Sequence, residues 1–249
     1  IRVSSGALSQ GMVIALYDYM SQILIELVKF ANLIVSVSRA LACAKRVESV
    51  LEIDDEKDCY EGGITSDKYI EFKNVTVRYS DNSTGVKNIS FTVNKGETIG
   101  IIGGTGSGKS TVVNLLPRLY DASEGTVFFD GINVKNYSLK ELRKRIAIAL
   151  QRPAIFEGTI RSNVSLDGSA DEKTIETAIE NAQAADVVKS KTGGLDALLE
   201  QRGRNLSGGQ KQRLSVARAL AKGAEVLILD DSSSALDFLT DLNMRRAIS

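Results

Sequence analysis

Residues 103 to 110 read GGTGSGKS, a G-x-x-x-x-G-K-S pattern. Glycines at this spacing let backbone N–H groups turn inward around phosphate oxygens, and a helix starting there adds positive potential. The loop follows an apolar stretch and opens a helical pattern, the context such a phosphate loop requires. Lys109 would reach the β- and γ-phosphates of a nucleotide, and the Ser110 hydroxyl would ligate Mg2+. A site of this kind needs a carboxylate for the metal on a neighbouring strand. Residues 226 to 231, VLILDD, offer one: four apolar residues run into Asp230 and Asp231. Asp230 takes the metal role in this reading, although an Asp that ends a strand is also a common turn cap. The glycines do not fit the G-x-G-x-x-G of a dinucleotide-binding turn. A Gly-rich turn without a ligand would leave Lys109 without a purpose.

The stretch NLSGGQKQRLSVARAL, from Asn205, places Ser207, Gly208 and Gly209 at the start of a helix, with Ser207 as N-cap. That makes a second anion-binding helix terminus in one chain. Ser-Gly-Gly is also an ordinary helix entry, and composition alone favours that reading.

The elements that must position these groups follow from periodicity. Residues 69–79 alternate, and 86–93 alternate after a turn at 80–85. Further strands are expected at 97–102, 126–130, 146–150 and 225–230, and helices at 109–120, 139–145, 172–190 and 210–222. Ser138 with Glu141 predicts a capping box for the second of these. Strands alternating with helices argue for an α/β sheet with a small antiparallel portion at its start. Residues 52–68, acidic and Gly-containing, read as a linker.

Residues 7–51 form one helical pattern without Pro. Asp18, Gln22, Glu26, Lys29 and Ser36 fall on one narrow stripe, and the rest is largely apolar. Glu26 and Lys29 form an i, i+3 pair. An amphipathic soluble helix fits this pattern. So does a membrane span with one wet face, since ionisable residues inside membranes face cavities or bundle interiors.

Net charge is zero, with 31 basic and 31 acidic residues, so composition does not point to nucleic acid as a partner. The chain has no histidine, which excludes a His general base or a Ser-His triad within it. Cys43 and Cys59 have no metal or redox spacing.

Five motifs in order resemble the ATP-binding cassette of an ABC transporter over residues 69–249. Gly103 to Ser110 match Walker A, and Gln151 matches the Q-loop. LSGGQ at 206–210 matches the signature, LILD ending at Asp230 matches Walker B, and SALD ending at Asp237 matches the D-loop. The resemblance implies an α/β P-loop NTPase (RecA-like) core with an antiparallel β subdomain and an α-helical signature subdomain, preceded by the long helix. It implies ATP and Mg2+ as ligands. ATP would be held by Gly103, Gly104, Thr105, Gly106, Ser107, Gly108, Lys109, Ser110 and Thr111. Tyr79 would stack on adenine; as a residue alone it reads equally well as a packed strand tyrosine. Mg2+ would be held by Ser110, Gln151 and Asp230. Asp231, Gln151 and Lys109 would serve catalysis, and Gln151 and Asp237 would also face nucleotide.

In this family two cassettes dimerise head to tail. Ser207, Gly208, Gly209 and Gln210 would therefore hold the γ-phosphate of the partner's ATP. Residues 1–51 then resemble the last transmembrane helix and cytoplasmic extension of an exporter-type half-transporter. The implied partners are a second half-transporter, the cell membrane and an exported substrate these residues do not name. The chain departs from the family pattern where Asp231 stands in place of Glu, which suggests a hydrolysis-impaired site and a heterodimer. It also has Gln201 where an acidic residue is expected, and no switch histidine. With Ile1 rather than Met at its start, it reads as a fragment at both ends. A soluble ABC ATPase of the DNA-repair or ribosome-associated kind is the alternative. The short distance from Gln151 to Leu206 and the acidic linker argue against both kinds.

Overall fold

The computed structural model describes residues 9–52, 65–79 and 83–248. Cys59 and most of the expected 52–68 linker lie outside them, as do positions 80–82 of the expected turn. The chain divides into two compact units, Ile1–Lys57 and Asp58–Ser249.

In the first unit, helix α1 spans Gln10–Leu51, capped by the Ser9 side chain accepting from the Met12 N–H. None of its residues is buried. Lys29 donates to Glu26 at 2.8 Å, the pair expected from spacing. Among the described residues, α1 alone is long and apolar enough to cross a membrane, by length and composition.

The second unit opens with an antiparallel sheet. Strands β1 (Ile70–Arg78), β2 (Thr84–Val93), β3 (Glu124–Phe129) and β4 (Ile132–Asn133) lie in the order β2-β1-β3-β4. Helix α2 (Lys109–Leu115) packs Val112 and Leu115 into the core of this sheet. Inward positions on β1 change phase, from Ile70 and Phe72 to Val75 and Val77. The register shifts between Phe72 and Val75, and Asn74 has φ +50°. This is a β-bulge, which moves one extra residue out of the alternation. Gly125 faces it: a Cβ there would lie 2.3 Å from the Asn74 carbonyl oxygen, and its φ is +80°. Only glycine fits that approach.

Then follow α3 (Leu139–Arg145), β5 (Ile146–Ala149), β6 (Gly158–Thr159), α4 (Ile160–Val164), α5 (Glu172–Asn181), α6 (Ala185–Lys189), β7 (Leu198–Leu199), α7 (Gly208–Ala221), β8 (Val226–Leu229) and α8 (Phe238–Ile248). β5 and β8 pair in parallel, and β6 pairs with β7. Ile160, Ile175, Val187, Leu214, Val216 and Met244 anchor a second core around α7.

Three expectations need correction. Residues 97–102 do not form a strand. Among the described residues no strand pairs with them, and Ile102 is 97% exposed. An extended segment becomes a strand only beside a ladder partner. For the same reason β8, paired along one edge, is only partly buried. The helix expected over 109–120 stops at Leu115, because Pro117 follows and Arg118 takes φ +52°. The helix expected over 172–190 is two, α5 and α6, separated at Gln183 with φ +55°. Of the capping box expected on α3, the Ser138 half is present: its side chain accepts from the Glu141 N–H at 3.2 Å.

Candidate functional site

The phosphate loop owes its shape to two left-handed glycines, Gly106 at φ +79° and Gly108 at φ +88°. At Gly108 a Cβ would also meet Val86 Cγ1 at 2.4 Å and the Gly85 carbonyl oxygen at 2.5 Å. The loop is thus wedged between β2 and α2. Lys109 folds back across it, its ammonium donating to the carbonyls of Gly103 at 2.7 Å and Gly104 at 2.8 Å. A cation held over a ring of glycines is what a triphosphate requires. Gly103, Gly104, Thr105, Gly106, Ser107 and Ser110 are all exposed, so the loop is open to a ligand. Thr111, one residue into the first turn, is buried and shares a hydrogen bond of 2.7 Å with the Tyr79 hydroxyl. Tyr79 itself is partly buried and meets Tyr120 edge-on, with centroids 5.9 Å apart.

The parallel pair β5 and β8 brings the acidic residues into place. The Asp230 N–H donates to the Ala149 carbonyl at 2.9 Å, carrying the ladder one residue past β8. Two residues beyond β5, the Gln151 amide donates to the Asp231 carboxylate at 3.0 Å. Asp231 has φ +48°, a left-handed conformation that Asp and Asn adopt far more readily than other side chains. Both Gln151 and Asp231 are exposed.

At the start of α7, Ser207 and Gln210 make a full capping box. The Ser207 side chain accepts from the Gln210 N–H at 3.3 Å, and the Gln210 side chain accepts from the Ser207 N–H at 2.9 Å. The segment after Asp231 folds against this helix entry. A Cβ on Gly209 would come within 2.8 Å of the Ala235 carbonyl oxygen. Buried Gln212 donates to Ser234 Oγ and accepts from the Ala235 N–H, each at 2.9 Å. Asp237 is engaged locally: its carboxylate accepts from the Thr240 N–H at 3.0 Å and the Thr240 hydroxyl at 2.7 Å. Those two bonds hold its carboxyl below the usual Asp range.

Sequence reasoning missed Gln212 and Arg218. The Arg218 guanidinium donates to the Asn163 carbonyl at 2.6 Å and the Ala154 carbonyl at 2.8 Å, tying α7 to the segment that follows Gln151. Burial lowers its pKa from the ordinary arginine value. The signal that could have found them is a polar residue on the buried face of a helix, Gln212 among Leu214, Ser215, Val216 and Ala219.

Ser110 and Asp230 each offer a hard oxygen of the kind Mg2+ takes. A metal here would take its remaining ligands from phosphate and water, as Mg2+ commonly does.

The family profile described as ABC transporter matches residues 86–234. The chain belongs to the ABC transporter family. Its fold is that of an ABC ATPase domain, a family that binds and hydrolyses ATP. The chain is 40% identical to the uncharacterized ABC transporter ATP-binding protein YfiB of Bacillus subtilis, covering 99% of this chain and 44% of that protein. It is 35% identical to the ATP-dependent lipid A-core flippase of Pasteurella multocida, covering 97% of this chain and 42% of that protein. It is 43% identical to the beta-(1-->2)glucan export ATP-binding/permease protein NdvA of Bartonella bacilliformis, covering 72% of this chain and 30% of that protein. A solved structure of a bacterial Atm1-family ABC exporter with ATP bound superposes with a TM-score of 0.75 at 26% identity, covering 97% of this chain and 43% of that one. The ABC domain and its preceding helix therefore span less than half the length of each of these proteins.

Proposed function

We propose that this chain binds Mg-ATP and, as part of a longer half-transporter, couples ATP binding and hydrolysis to export of a substrate across a membrane. The observation that carries the reading is the phosphate loop wedged between β2 and α2, with the Lys109 ammonium held across its glycines. Lipid A flippase and glucan exporter relatives support the direction of transport. On this reading residues 1–51 are the end of the last transmembrane helix with its cytoplasmic extension, 52–68 a linker, and 69–249 the cytoplasmic ATPase domain.

Each residue then has a task. Tyr79 offers a ring to the adenine. The backbone of Gly103 to Gly108 and the Lys109 ammonium take the phosphates. Ser110 and Asp230, with Gln151, would hold Mg2+, which shields phosphate charge and aligns the leaving oxygen when bound. The Gln151 amide orients the Asp231 carboxylate, and Asp231 positions the attacking water. Ser207 to Gln210 and Asp237 meet the nucleotide of a second cassette. Asp is one methylene shorter than Glu, so the chain's own site hydrolyses slowly and acts as an ATP-holding clamp. We assign the faster site to a different partner chain. The test of the base assignment is Lys109→Ala, with Mg-ATP affinity measured by calorimetry on the intact protein. A large loss of affinity is expected; unchanged affinity would overturn it.

A further inference from the structure

β5 and β8 form a two-stranded parallel ladder, from Ile146 opposite Val226 to Ala149 opposite Leu229. The ladder ends at one side with Gln151 on Asp231. Its other end is closed by a forked ion pair. Arg145 Nε donates to Glu225 Oε1 at 2.7 Å, and Nη2 donates to Glu225 Oε2 at 2.8 Å. Both end contacts join residues 80 positions apart, the same offset as every rung between them. We propose that Arg145 and Glu225 are positioning residues for hydrolysis: their fork sets the register of β5 against β8 and so holds Gln151 opposite Asp231.

Ile146, Ala147 and Ala149 are buried, which opposes a slip of one residue; a slip of two keeps the same side chains inward, and Ala147 and Ala149 are too small to oppose it strongly. A slip of two residues moves one strand end by about 6.6 Å, enough to part Gln151 from Asp231. A planar guanidinium meeting a carboxylate through two parallel bonds has a single good geometry, which a repeating ladder lacks. Arg145 is fixed from the antiparallel sheet. Asp130 accepts from its Nη2 at 2.7 Å, and the Phe129 ring centroid lies 4.5 Å from its guanidinium carbon. The Tyr137 hydroxyl lies 3.3 Å from its Nη1. Glu225 also accepts from the Tyr69 hydroxyl at 3.2 Å. Of these contacts, the Arg145–Glu225 bonds join the two strand ends, whereas Asp130 and Phe129 touch the guanidinium from the antiparallel sheet.

This inference rests on the roles given above to Gln151 and Asp231. Its test uses two carboxylates on one arginine. Glu225 belongs to the β8 side of the ladder; Asp130 does not. Single-turnover ATP hydrolysis at this chain's site is measured in the intact transporter, with the partner cassette's water-positioning carboxylate neutralised. Glu225→Gln is expected to slow hydrolysis on the order of tenfold with ATP affinity unchanged, because the phosphate loop lies on other elements. Asp130→Asn, which keeps a side chain tolerant of the +50° φ at that position, is expected to leave the rate within about twofold. Arg145→Lys keeps the charge, loses the fork, and is expected to match Glu225→Gln. Equal loss in the Glu225 and Asp130 variants would make the cluster merely structural and overturn the proposal, as would an unchanged rate in Glu225→Gln. Lys109→Ala run alongside separates the cases: if it binds ATP normally, the underlying functional reading fails instead.

Discussion

The Tyr79 hydroxyl lies 2.7 Å from the Thr111 hydroxyl, so the end of β1 is tied to the first turn of the helix that carries the phosphate loop. On the proposed function, this bond aligns the ring proposed for adenine with the phosphate loop. Removing the hydroxyl costs one partly buried hydrogen bond, about 1 kcal/mol. Tyr79→Phe is therefore expected to lower stability by about that amount in urea unfolding and to keep most ATP affinity, because the ring face remains. Tyr79→Ala should lose both. Equal affinity losses in Phe and Ala variants would show that the hydroxyl, and not the ring, carries binding.

Gly108 and Gly104 make a paired test of the loop. Gly108→Ala would drive a Cβ to 2.5 Å from the Gly85 carbonyl oxygen at φ +88°, and neither the backbone nor the wedged loop can give way cheaply. A stability loss of at least about 2 kcal/mol is expected, with ATP binding abolished. At Gly104 a Cβ would meet nothing within 4 Å, so Gly104→Ala should melt like the parent. If phosphates pack against that backbone, its ATP affinity nonetheless falls. A Gly104→Ala protein with normal melting and normal affinity would place the phosphates elsewhere.

Gln212 bridges the signature helix to the segment after Asp231 with both ends of its amide. Gln212→Leu keeps the volume but takes the acceptor from the Ala235 N–H, while the Ser234 hydroxyl keeps its bond to the Asp231 carbonyl. Losing a partly buried hydrogen bond costs about 1 kcal/mol. Thermal unfolding should show that loss, and ATPase activity of the assembled transporter should fall as the 234–237 segment loosens. Unchanged melting would mean that water replaces the amide.

How far these features can be read from sequence depends on how local they are. The phosphate loop is eight consecutive residues whose chemistry and conformation are written in the same glycines. Ser138 and Glu141 place a helix at 139–145, and α3 spans those residues. The bulge at Asn74 is visible in hindsight as two polar residues, Lys73 and Asn74, interrupting the alternation of β1. Residues 97–102 read as a strand because their apolar character is local, whereas strandhood depends on a partner elsewhere. Gln151 meets Asp231, and Arg145 meets Glu225, only where β5 and β8 lie side by side, 80 residues apart in sequence. No periodicity encodes it; the family resemblance points to the first pair and leaves the second unseen.

At position 231 two effects oppose each other. Asp falls about 1 Å short of the reach of Glu, and a misplacement of that size can cost on the order of a hundredfold in rate. The ordinary acidities of Asp and Glu differ by only about 0.4 pH units, so reach outweighs basicity. The backbone pulls the other way. At φ +48° Asp is well tolerated, while Glu must accept a left-handed conformation at a cost of up to about 1 kcal/mol. Asp231→Glu is therefore expected to lower stability slightly and raise single-turnover hydrolysis at this site about tenfold or more, with ATP affinity unchanged. Asp231→Asn keeps an oxygen to accept from the Gln151 amide but loses the charge; it should bind ATP and hydrolyse still more slowly. The measurement is made in the intact transporter with the partner's water-positioning carboxylate replaced by its amide. If the unmutated Asp231 site already turns over as fast as the partner's normal site, the left-handed turn has restored the missing reach, and this is not a slow site.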